Sequence, residues 1–148
     1  MSKTRLATEF EQADDSPGLL LWQLSNKWQA KQRAALKPFG LTHVQFVLLA
    51  TLTYTADESS FTQKQLAEYA QTDVMMTSQV IRKLEQKGLV QRKPNKLDGR
   101  AFALNPTPMG IELANRAVKK VEEVDRHFFE AIGPDLSNLV KMMRQLVK

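Results

Sequence analysis

The sequence predicts a mainly α fold with a small β-hairpin wing, and three observations carry that prediction. Apolar residues recur at helical spacing through six segments of the chain. Two of those segments open on the same capping signal, Thr42-His-Val-Gln45 and Thr62-Gln-Lys-Gln65. After the fourth segment Asp98-Gly99, a strong hairpin-turn dipeptide, separates two short runs suited to strands. Helix, turn, helix and then a basic hairpin form a winged helix-turn-helix. In that arrangement one helix enters the DNA major groove and the hairpin loop meets the backbone or the minor groove.

The elements follow in order. Residues 1–15 read as a loosely held arm. Ser16-Pro17 supplies an N-cap followed by proline at the first helical position, and the helix carries Leu21, Leu24, Trp28 and Ala35 until Pro38 and Gly40 stop it. The first capping box opens an apolar helix through Leu52, with Leu41 and Phe46 as its hydrophobic staple, and residues 53–60 form a surface loop. The second box opens a short helix ending near Ala70, stapled by Phe61 and Leu66. Gln71-Thr72-Asp73 is the turn, and Gly88 caps the next helix. Leu89–Lys93 and Ala101–Leu104 are the hairpin strands. Thr107-Pro108 starts a long helix with Ile111, Ala114, Val118, Val121, Phe128 and Ile132 on one side, and Gly133-Pro134 breaks it. A last helix carries Leu136, Leu139, Val140, Met143, Leu146 and Val147.

Composition narrows the function. A chain of 148 residues, 43% apolar and 25% charged, is one compact globular unit. Its net charge is +5, and residues 61–104 hold eight Lys/Arg against four Asp/Glu, a net +4. The positive charge thus sits where DNA would be. With no cysteine, two histidines and no ligand cluster, disulfides, thiol chemistry and a transition-metal site are not expected. No signal peptide or membrane span is legible, which fits a cytoplasmic protein without a membrane partner. There is no nucleophile–base set and no phosphate-cradling glycine loop, so neither an enzyme nor a bound cofactor is expected.

In the fourth helix Thr77, Val80, Ile81 and Leu84 make one stripe, while Met75, Ser78, Gln79 and Arg82 make another at i, i+3, i+4 and i+7. The first is the packing face. The second would suit a solvated face, but methionines at 75 and 76 beside Ser and Gln favour groove contact. Gln pairs with adenine, Arg with guanine or a phosphate, and apolar groups with the thymine methyl. The candidate DNA-contacting residues are Thr62 and Lys64 on the third helix, Met75, Met76, Ser78, Gln79 and Arg82 on the fourth, and Lys93, Lys96, Asp98 and Arg100 in the hairpin.

The sequence resembles the MarR family (multiple antibiotic resistance regulators) over nearly its whole length. The resemblance is carried by Leu41-Thr42-x-x-Gln45, Thr62-x-x-Gln65-Leu66-Ala67, Leu84-Glu85-x-x-Gly88-Leu89-Val90-x-Arg92, Asp98-x-Arg100 and Gly110. Two positions depart from the usual pattern: Gly99 replaces one of two wing arginines, and Asn105-Pro106-Thr107 replaces the usual Leu-Thr. The resemblance implies a homodimer, with residues 16–38 and 107–147 as dimerisation helices and 42–104 as the DNA-binding region. It also implies a pseudo-palindromic operator, a wing in which Asp98 orients Arg100, and release of DNA on binding a small aromatic or phenolic effector. Trp22, Trp28 and His43 are the candidate effector-lining residues, against the plainer expectation that tryptophans at helical spacing pack a core or a dimer. The expected function is a ligand-responsive transcriptional repressor. Its rivals are a winged-helix protein-interaction module and a constitutive DNA binder.

Overall fold

A computed structural model of the protein describes residues 5–56, 61–94 and 102–148. Within them the elements run α1 (Pro17–Leu36), α2 (His43–Tyr54), β1 (Phe61–Thr62), α3 (Gln63–Ala70), α4 (Val74–Gln86), β2 (Val90–Pro94), β3 (Phe102–Pro106), α5 (Pro108–Phe129) and α6 (Leu136–Val147). Short 3-10 turns at 13–15, 37–39 and 130–135 precede α1, follow it and join α5 to α6. The strands form one antiparallel sheet in the order β1-β3-β2.

Local chemistry sets the helix ends. The Ser16 hydroxyl accepts the Leu19 N–H at 3.2 Å, with Pro17 at N1. Thr42 and Gln45 satisfy one another at 3.1 and 3.2 Å, and Thr62 and Gln65 do so at 2.9 and 3.2 Å. Asp73 caps α4 by accepting the Met76 N–H at 2.9 Å, and Thr107 caps α5 by accepting that of Gly110 at 3.1 Å. The end of α4 is a Schellman turn: Gly88 takes φ +75°, its N–H bonds Glu85 O, and the Leu89 N–H bonds Leu84 O.

Some expected boundaries move. Helix α2 continues past Leu52 to Tyr54, and there the hydroxyls of Thr51, Thr53 and Thr55 donate to carbonyls one turn back at 2.7–2.9 Å, so Thr51 and Thr53 within the helix and Thr55 at its C-cap leave no hydroxyl unpaired. Of the expected loop at 53–60, residues 57–60 lie outside the described residues. Within the expected arm, residues 13–15 form a 3-10 turn whose Asp15 carboxylate accepts the Gln12 N–H at 3.1 Å. The hairpin strands shift by one residue at the start and end with prolines, Pro94 and Pro106, at strand termini where a missing donor costs little. Strand β1 was not expected. It pairs Phe61 with Leu104 and Thr62 with Ala103, so the second capping box begins on the sheet itself.

The core lies between α2, α3, α4, the sheet, the end of α1 and the first half of α5. Leu36, Leu48, Leu49, Leu66, Ile81, Leu84 and Ala117 are at or near complete burial. Helix α5 reaches this core through a close approach: a Cβ at Gly110 would stand 2.1 Å from Leu89 O. The Thr107 hydroxyl adds a 2.6 Å bond to Gly88 O, so the long helix starts directly on the end of α4. The opposite end of the molecule has no such core. Helix α6 buries none of its residues, and Leu20, Leu21, Trp22, Leu24, Ile132, Val140, Met143 and Leu146 are all exposed.

Candidate nucleic-acid interface

The candidate DNA-contacting surface is built on α4. Thr77, Val80, Ile81 and Leu84 are buried, so the opposite face is turned outward with Met75, Gln79 and Arg82 exposed and Ser78 partly so. Met75 is 73% exposed and is flanked by exposed Val74 and Met76, so the start of α4 carries an apolar row rather than a lone apolar side chain. Thr72 and Thr77 fix the turn before α4: their hydroxyls are 2.7 Å apart, and that of Thr77 donates to Asp73 O at 2.8 Å. The Thr72 N–H also bonds Ala67 O at 3.0 Å, so the turn is held to the end of α3 as well as to the start of α4.

The remaining candidates fall into three groups. Thr62 caps α3 with its side-chain oxygen, and Lys64 in the first turn of that helix is exposed. Lys93 is exposed on β2, opposite Ala103. Lys96, Asp98 and Arg100, with the Asp98-Gly99 turn, lie outside the described residues.

Two further residues join β2 to α4. Arg92 Nε on β2 donates to Glu85 Oε1 on α4 at 2.7 Å, both side chains about one-third exposed. Glu85 and Arg92 were legible only as positions of the family pattern; nothing in their spacing marked them as a pair. Lys87 donates to Gly40 O at 2.6 Å and to Gln45 Oε1 at 3.1 Å, tying the end of α4 to the start of α2. Between these elements a cleft of about 500 Å³, lined by Thr42, Gln45, Gln79, Arg82 and Lys83 among others, opens beside the outward stripe.

Of the three candidate effector residues the structure brings two together. The rings of Trp28 and His43 meet edge to face with centroids 4.9 Å apart. Trp22 is 69% exposed. Six residues along one helix separate it from Trp28 by about 120° around the axis. Gln32 and Asp125, which the sequence did not single out, complete the junction. The Trp28 indole N–H and the Gln32 amide both donate to Asp125 Oδ1, at 2.7 and 2.8 Å. Cavities of about 570 and 420 Å³ lie elsewhere, one between α1, α5 and α6 and the other beside Phe39, Lys87, Met109 and Arg116. Neither they nor the cleft beside α4 is lined by Trp22, Trp28 or His43. Among the described residues no His, Cys, Asp or Glu grouping suits a metal, and no single helix is long and apolar enough to cross a membrane.

Comparison with known proteins agrees with this architecture. The MarR family profile matches residues 41–102, from the α2 staple to the third strand. The HTH-type transcriptional regulator YdcH of Bacillus subtilis is 42% identical over 142 residues, covering 95% of this chain and 96% of its own. An HTH-type transcriptional repressor of Mycobacterium tuberculosis strain H37Rv is 32% identical over 136 residues, covering 90% and 96%. The Staphylococcus aureus MepR–DNA complex superposes with a TM-score of 0.76 at 24% identity, covering 88% of this chain and 98% of that one. The chain belongs to the MarR family of winged helix-turn-helix transcriptional regulators.

Proposed function

We propose that the protein is a homodimeric, sequence-specific DNA-binding repressor acting in the cytoplasm on a pseudo-palindromic operator. Helix α4 would lie in the major groove, 42–104 would form the DNA-binding region, and 16–38 with 107–147 would dimerise. The observation that carries this reading is the outward stripe of α4, in which an exposed methionine, a glutamine and an arginine oppose a fully packed face. The net +4 over residues 61–104 supports it, as does the repressor name borne by the mycobacterial relative.

Gln79→Ala tests base reading. Gln79 is uncharged, so its loss leaves the salt dependence intact. On the true operator it removes about 1–3 kcal/mol, with little effect on scrambled duplex. Binding to both duplexes at one salt concentration reads this directly. Equal losses on both would reduce Gln79 to a backbone contact.

The wing is tested differently. Arg100→Ala lowers the slope of log affinity against log salt by about one unit if the guanidinium neutralises a phosphate. A minor-groove role instead alters the preference for A·T flanks. Unchanged affinity across several salt concentrations would return Arg100 to the solvated surface.

One observation favours a second reading. Val74, Met75 and Met76 form an exposed apolar row at the start of α4, which suits a protein surface as well as thymine methyls. A salt-dependent gel shift with fragments of genomic DNA separates the two. Response to a small aromatic or phenolic effector is the part of the proposal that rests on family resemblance. Thermal-shift screening against phenolic compounds tests it, and the absence of any response would leave a constitutive DNA binder.

A further inference from the structure

Three helices from distant parts of the chain meet at one small polar cluster. Trp28 and Gln32 on α1 converge on a single oxygen of Asp125 on α5, and Gln32 also donates to Val121 O at 3.2 Å. His43, the first residue of α2, seals the cluster by its edge-to-face contact with Trp28. Gln32 is completely buried, and its Oε1 has no hydrogen-bond partner among the described residues. A buried acceptor without a donor is costly, so this junction is packed but not fully satisfied. The charged groups that act on the imidazole are Arg33 from α1 and Asp125 from α5.

We propose that Trp28, Gln32, His43 and Asp125 form a proton-gated latch, in which neutral His43 holds the start of α2 against α1 and protonated His43 releases it. Burial, first, and the Arg33 charge, second, lower the pKa of the seated imidazole below its ordinary 6.5, and Asp125 opposes them in part. The sign follows from linkage. The closed latch binds a proton less readily than the open one, so its stabilisation is fully present above about pH 6.5. It is lost as pH falls through the window between 6.5 and the lowered value. Once the start of α2 is released from α1, the end of α4, which Lys87 ties to Gly40 and Gln45, no longer keeps a fixed position relative to α1. Its consequence for DNA rests on the function proposed above, whereas the latch itself does not.

The chain has two tryptophans, so Trp22→Phe leaves Trp28 as the sole indole reporter in the full-length protein. Between pH 8 and 5.5 its emission should shift to longer wavelength as the indole becomes hydrated, with a midpoint below 6.5. His43→Gln, or His43→Asn if that variant folds better, should abolish the shift, and His127→Gln should leave it intact. Asp125→Asn should move the midpoint higher, because the closed state loses both the charge that partly offsets a seated imidazolium and the anionic acceptor that holds Trp28 and Gln32. Emission that ignores pH, or a shift that survives the loss of His43, overturns the latch. Operator affinity should fall about threefold to tenfold over the same range in wild type and stay level in His43→Gln. A His43-dependent emission shift with level operator affinity would overturn the gating of DNA while keeping the latch. Absence of DNA binding at every pH would count against the proposed function alone, since the emission still decides the latch.

Discussion

Replacing Val140 and Met143 together by Asp should convert a stable dimer into monomers and reduce operator affinity by about 10²–10⁴-fold. The reason lies in what α6 fails to bury. Leu136, Leu139, Val140, Met143, Leu146 and Val147 repeat at i, i+3, i+4, i+7, i+10 and i+11, a continuous apolar stripe, yet none of them is buried within the chain. An isolated 12-residue helix is marginal in water, so α6 needs a surface to pack on. Exposed Leu20, Leu21 and Leu24 on α1 offer one in a second copy. Each large apolar side chain covered there contributes about 1.5–3 kcal/mol. Two carboxylates buried in the stripe would undo that. In the proposed dimer two copies of α4 bind DNA as one unit, so losing the dimer would also separate them, which is why the expected effect on affinity is large. Sedimentation and gel shift, with circular dichroism to check folding, measure it. A wild-type protein that sediments as a monomer at micromolar concentration would remove the basis of the prediction.

Gly110→Ala should destabilise the fold by about 1–3 kcal/mol, against the direction of helix propensity. Alanine is ordinarily about 1 kcal/mol better than glycine inside a helix. Here the added Cβ would stand 2.1 Å from Leu89 O, 3.0 Å from Leu89 C and 3.2 Å from a methyl of Leu49. The first two are backbone atoms at the base of β2, and the Leu89 carbonyl also accepts the Thr107 N–H at 3.0 Å. Relief therefore requires the hairpin and α5 to separate. Urea denaturation monitored by circular dichroism reads the change. A midpoint equal to or above that of wild type would mean that α5 can lift away at no cost.

Much of this was legible because it is local. Capping by Thr42, Thr62 and Thr107 depends on residues three apart, and the split of α4 into a packed and an outward face depends on spacing alone. Strand β1 was not legible, since two residues have no periodicity and Phe61 was already accounted for as a staple. The contact of Trp28 with Asp125 spans 97 positions, and no pattern within α1 indicates which residue of α5 it meets. His43 shows the mixture. Its place in the first turn of α2 follows from the capping box, whereas its contact with Trp28 follows from how α1 crosses α2.

The bond from Thr107 to Gly88, with Gly110 seated against Leu89, makes the start of α5 one piece with the end of α4. Helix α5 has 22 residues, about 33 Å of rigid rod. A tilt of about 5° at its far end, where the uncovered apolar surface lies, would then carry the reading helix sideways by about 3 Å. That is close to the rise of one base pair. With α4 in the major groove as proposed, leverage of this kind would let a small adjustment beside α6 change which step of the duplex lies beneath Gln79.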